Sequence, residues 1–193
     1  MTGYVPLYRR RRSGATDYRA RKKAVMSRRT LLAVRISGKN VTAQFLKATV
    51  KGDLVLSSTH SSLLRKAGWK GSLKSVPACY LLGLAAGKKA KENGIESAIL
   101  YNGPNPFVRG SRVSAFVKGV IDSGVEVPFS EDAFPSEERV NGSSIASYAS
   151  ELSSKDRETY EKRYSALIKL GFKPEDYAQN YNHTKDSILG GSK

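Results

Sequence analysis

LLAVRISGKNVTAQFLKATVKGDLVLSSTH, residues 31–60, is the stretch that decides the fold. LLAVRIS is aliphatic and β-branched, SGKN supplies turn chemistry, and NVTAQFLKATV resumes the strand pattern. KGD then turns the chain into LVLSST. Three strands with such short connections predict an antiparallel meander. Successive side chains alternate across a sheet, so in the middle strand Val41, Ala43 and Phe45 share one side, and Thr42 and Gln44 the other. One face is apolar and suited to receive helices. The other is polar and available to a ligand.

Working outward, HSSLLRKAGWKG reads as a helical turn entering a basic loop. KSVPACYLLGLAAGKKAKENG reads as a helix capped by Ser75, with Pro77 in its first turn and Gly94 to end it. Its small residues Ala78, Gly83, Ala85, Ala86 and Gly87 predict close approach to the sheet. IESAILY is a predicted strand. SRVSAFVKGVIDSG is a second helix, with Val113, Phe116, Val117 and Val120 as its apolar stripe. The order βββαβα gives an α/β fold: a mixed sheet with a three-strand antiparallel meander and helices on one face. Residues 30–128 form this expected core domain. Residues 129–193 are expected to be an acidic loop, a short helix, one amphipathic helix over SSKDRETYEKRYSALIKLGF, and a tail from KPEDY onward.

Residues 1–29 carry the opposite signature. Ten Lys or Arg, including the run Arg9 to Arg12, face a single acid, Asp17. Tyr4, Val5, Leu7, Tyr8, Tyr18, Val25 and Met26 are their main apolar residues. That is too little burial to offset the entropy of ordering a chain, so the arm is expected to be disordered until a polyanion holds it. Of the 193 residues 39% are hydrophobic, mean hydropathy is −0.42, and net charge is +16. The charge is unevenly spread. Residues 1–125 hold 24 Lys or Arg against 5 acids, whereas residues 126–161 hold 3 against 9. Unbalanced basic runs mark interaction segments, here for nucleic acid. No apolar run approaches the ~20 residues that span a bilayer. The arm also lacks the apolar face of an interfacial helix, so a membrane is not an expected partner. With one cysteine and no apolar leader, a reducing, cytoplasmic location is expected.

Enzyme signatures are missing. Two histidines in separate segments and one cysteine make a zinc site improbable, and there is no P-loop, GxGxxG after a strand, or GxSxG. No cofactor, metal or catalytic residue is expected. Nucleic-acid features remain. Tyr8 adjoins RRRR, Tyr18 adjoins RARKK, and Trp69 stands beside Lys70; each ring could instead be ordinary packing, Trp69 as readily as not. Arginine forks pair with phosphates, and exposed rings stack on unpaired bases. In NGPNPFVRGSR, Arg109, Ser111 and Arg112 stand at a helix start, where free N–H groups favour an anion.

Taken together, the RRRRSGATDYRAR arm, the GDLVLSS strand, the GWK loop and the GVEVP turn closely resemble a known family. It is the archaeal and eukaryotic branch of the large-subunit ribosomal protein family that binds 5S ribosomal RNA, that of bacterial large-subunit protein eighteen. The likeness spans about residues 4–150. It departs at LYNG, where Tyr101 stands in place of a commonly acidic residue. The resemblance implies a structural protein that binds 5S ribosomal RNA and anchors it in the central protuberance. It also implies contact with large-subunit ribosomal RNA and with neighbouring large-subunit proteins. The RNA-binding arm residues would be Tyr8, Arg9, Arg10, Arg11, Arg12, Thr16, Tyr18, Arg19, Arg21, Lys22, Lys23, Arg28 and Arg29. The body would add Thr42, Gln44, Lys47, Lys66, Trp69, Lys70, Arg109, Ser111 and Arg112. Two other readings compete. A general RNA chaperone or coat needs only the arm. A metal-dependent RNA-modifying or RNA-cleaving enzyme would use Glu131, Asp132, Glu137 and Glu138.

Overall fold

The computed structural model describes residues 5–190. Tyr4, counted above with the arm, and the last three residues of the expected tail lie outside the described residues. Strands β1 (Leu31–Ile36), β2 (Val41–Thr49) and β3 (Gly52–His60) form the meander, and β4 (Ile99–Leu100) adds to β1 in parallel, giving the order β3-β2-β1-β4. The first turn closes because the Ser37 N–H donates to the Asn40 carbonyl at 2.8 Å while the Asn40 N–H donates to Ser37 Oγ at 3.0 Å. Leu32 faces Phe45 and Val34 faces Ala43 across the β1–β2 pair, which puts these four on one face with Val41. All five are buried in the main core. The seven-residue strand expected over IESAILY is only two residues long; before it, Ser97 makes a single bridge to Glu126.

The helices in chain order are α1 (Arg9–Arg12), α2 (Tyr18–Met26), α3 (Leu63–Lys66), α4 (Val76–Glu92), α5 (Arg112–Asp122), α6 (Glu137–Asn141), α7 (Ser143–Lys155), α8 (Arg157–Ile168) and α9 (Tyr177–Gly190). Helix α4 starts where Ser75 accepts from the Ala78 N–H, and the chain leaves it through Gly94 at φ 72°. It packs chiefly on α5, and its glycines serve that crossing. A Cβ at Gly83 would overlap the Phe116 carbonyl oxygen, and one at Gly119 would overlap that of Tyr80. The expected close approach to the sheet is thus mainly an approach to a second helix. Helix α4 lies against β2 and β3 on the apolar side, and α5 packs on α4 within the same core.

Beyond residue 150 the bounds shift and one expectation fails. The expected short helix is α7, and the amphipathic helix expected from Ser153 begins only after Asp156, where φ is −150°, as α8; the Asp156 carboxylate caps α8 through the Thr159 N–H. The expected tail is helix α9, and its inner side belongs to the core. Tyr177, Tyr181 and Thr184 are buried. The Asn180 side chain donates to the Gly68 carbonyl and accepts from the Lys70 N–H, both at 3.0 Å. At its far end Lys88 Nζ donates to the Ile188 and Leu189 carbonyls, a cation placed where the helix dipole is negative. Among the described residues no helix is long and apolar enough to cross a membrane.

Candidate nucleic-acid interface

The described part of the arm, residues 5–29, is laid out as two helical segments against the body. Arg9 to Arg12 form the exposed turn α1, and Arg10 Nε donates to Thr16 Oγ1 at 2.8 Å. The Tyr8 and Tyr18 rings meet at 5.6 Å between centroids. Asp17, the arm's one acid, is the N-cap of α2: its carboxylate accepts from the Arg19 and Ala20 N–H groups. Such a cap contributes about 1 kcal/mol to a helix. Helix α2 then lies on the second face of the sheet. Ala24 packs on Leu31, Ala33 and Leu46, a small apolar cluster that alternation places opposite the main core. Arg21 pairs with Asp53 of β3, and its guanidinium stands 5.4 Å from the centre of the Tyr101 ring.

This docking forms a groove of about 630 Å³ between arm, sheet and the loop after β4. Arg10, Thr16, Tyr18 and Arg21 line it from the arm, and Arg35, Tyr101 and Asn102 from the body. Asp53 is the acid in its wall among the described residues. Arg35 was missed in the sequence. Its signal was present: it sits opposite Thr42 in the β1–β2 register, and so on the polar face. Thr42 and Gln44 share that face and are half-buried. Lys47 alternates to the opposite side and is exposed near the hairpin end, so it does not join them. Arg19, Lys22 and Lys23 are exposed on α2, and Arg28 and Arg29 are exposed where the arm meets β1. Arg28 makes that bend in the left-handed region, at φ 55°.

The remaining candidates are scattered. Lys66 lines a second cavity of about 660 Å³ with His60, Lys88 and Lys89, and Lys70 is exposed beside α9. Trp69 must be corrected. It is 1% exposed, its indole N–H donates to the Ser72 carbonyl at 3.2 Å, and its ring meets Tyr177 edge-on at 5.1 Å. A ring so enclosed offers no face to a base. Arg109 and Arg112 are exposed at the start of α5, but neither lines the groove. The Ser111 hydroxyl is buried without a hydrogen-bond partner rather than capping the helix. The Gly110 N–H donates to the Ala133 carbonyl, which ties this loop to the turn over Glu131–Ala133. Phe107, 42% exposed and edge-on to Phe129, is an aromatic of this loop that the sequence reading passed over.

Reactive chemistry finds little to work with. Among the described residues no group of three His, Cys, Asp or Glu is placed to hold a metal ion. Burial pushes the Cys79 thiol up to about 12, which keeps it protonated at neutral pH. His60 is exposed, with Nδ1 2.8 Å from Ser62 Oγ. What the surface offers is cations, donors and a few rings, the chemistry of phosphate and base contact.

Residues 4–103, which hold the arm, the sheet and α4, match the family described as "Ribosomal large subunit proteins 60S L5, and 50S L18". A large ribosomal subunit protein uL18 from Thermofilum pendens is 40% identical over 184 residues, covering 95% of this chain and 93% of the relative. A uL18 from Methanothermobacter thermautotrophicus is 41% identical over 185 residues, covering 96% and 95%. Likeness of that depth across nearly the whole length of both relatives includes the helices after residue 125 as well as the arm and sheet, and on it the chain belongs to the uL18 family of large ribosomal subunit proteins.

Proposed function

We propose that this structural, non-enzymatic protein of the cytoplasmic large ribosomal subunit binds 5S ribosomal RNA and anchors it in the central protuberance. It would also touch large-subunit ribosomal RNA and neighbouring large-subunit proteins. The observation that carries the reading is the docked arm. It sets Arg10 beside Arg35 of β1 at one groove, while Arg19, Lys22 and Lys23 stand exposed on α2. Folded RNA offers phosphates, 2′-hydroxyls and unpaired bases rather than a readable deep groove. A rigid array of guanidinium forks selects the spacing of such phosphates, and Tyr18 beside them can stack on a base. The arm contributes affinity through counterion release, and the sheet face and loops contribute shape.

Competition binding tests this. Labelled 5S ribosomal RNA is bound to the full chain at about physiological salt, with transfer RNA or a scrambled RNA of equal length as competitor. Retention of 5S RNA against a large excess supports the proposal. Stoichiometric displacement overturns it in favour of a general RNA coat, for which the arm alone is sufficient.

A further inference from the structure

We propose that Arg21, Asp53 and Tyr101 form a latch that holds the arm on the sheet before RNA arrives, so that Arg21 positions the arm rather than neutralising a phosphate. The proposal rests on the reading that the arm binds RNA. Helix α2 has nine residues and buries none of them. A helix that short is marginal on its own in water. Among the described residues, Ala24 is the side chain of α2 that packs on the small apolar cluster of Leu31, Ala33 and Leu46. What else fixes it is the Arg21–Asp53 pair, with side chains 23% and 33% exposed, and the Tyr101 ring beside the guanidinium. Among the described residues the other ion pairs lie within single helices at i,i+4 spacing; this one joins segments 32 residues apart. The helix period then does the sorting. Ala20, Arg21 and Ala24 are the less exposed side of α2, and Arg19, Lys22 and Lys23 the exposed side. An acid in the wall of a phosphate-binding groove repels the ligand unless it serves another purpose, and holding Arg21 is that purpose.

The sign of one substitution separates the two roles. If Asp53 acts only as a charge, Asp53→Asn in the full chain tightens 5S RNA binding. If it is the latch, the same change weakens binding by about five-fold at ~0.15 M salt, the worth of one partly exposed ion pair with its ring contact. Amide exchange of residues 21–26 in the RNA-free protein should quicken by a similar factor. The double exchange Arg21→Asp with Asp53→Arg should restore slow exchange and most of the affinity. Tighter or unchanged binding by Asp53→Asn, or unaltered exchange, overturns the latch. Failure of the unmodified chain to prefer 5S RNA overturns the functional reading instead, and amide exchange alone still decides the latch.

Discussion

Trp69 is the chain's single tryptophan, which makes it both a packing element and a built-in reporter. Its ring is enclosed by the core, edge-on to Tyr177, with its N–H satisfied by Ser72. Truncation to alanine leaves a cavity that the surrounding helices cannot fill. Trp69→Ala should therefore cost about 3–5 kcal/mol in urea unfolding, while the RNA affinity of the folded fraction stays within two-fold or so of the parent, roughly 0.4 kcal/mol. A large loss of affinity with little loss of stability would instead mean that the ring meets RNA. The position is hard to read from sequence because its neighbours, Gly68 and Lys70, look like a surface loop, and its burial partner is in a distant helix. Asp17 is the opposite case. Its type and place, just before YRARKKAVM, are the ordinary signature of a helix cap. The density of charge around it concealed that signature.

At the scale of elements, what was legible was what is local. The meander follows from alternation and turn chemistry within thirty residues, and Ser75, Gly94 and Gly124 mark helix ends by their own preferences. Small residues in α4 announced a close approach without saying to what, because that depends on which element arrives opposite. The answer is α5. Gly83→Ala should push α4 and α5 apart by driving a methyl into backbone, with a cost of about 1–3 kcal/mol or more. A urea midpoint equal to that of the parent would show that the crossing is looser than the contact between the two glycines implies. Helix α9 was illegible for a related reason. Only Tyr177 and Tyr181, one turn apart, are its buried aromatics, and the rest of its surface reads as a polar tail. Removing residues 177–193 should open the pocket around Trp69, shift its emission to the red and lower the unfolding midpoint. An unshifted emission would mean that α9 merely rests on the body.

At the scale of the whole molecule, the charge is arranged in two parts: a basic arm and sheet, and an acidic span over residues 126–161. That division was plain in the sequence, as was the arm's role as the main cationic element. Which cations share a groove was not, since Arg35 joins Arg10 and Arg21 only through strand register and docking of the arm. The core beneath this surface has its own electrostatic consequence. Burial pushes Cys79 and Tyr181 each up to about 12; burial also raises Tyr177, and burial together with the hydrogen bond to Asp122 raises Tyr80. All four are acids that stay neutral in the folded state. Each therefore contributes stability that is fully present below its unfolded value, 9.0 for the thiol and 10.0 for a phenol, and is lost as pH rises toward the folded value. In that window the unfolded chain has released protons that the native chain keeps, so stability falls with pH, by at most about 1.4 kcal/mol per pH unit for each proton. Urea midpoints measured at constant ionic strength should be level up to about pH 8 and then decline through pH 11, with Cys79 responsible for the earliest part. Cys79→Ala should delay the onset of the decline toward the tyrosine range. A midpoint level from pH 8 to beyond 10.5 would mean that water reaches these groups in the native state, and that α9 opens from the body far more readily than its contacts with Trp69 and Tyr80 imply.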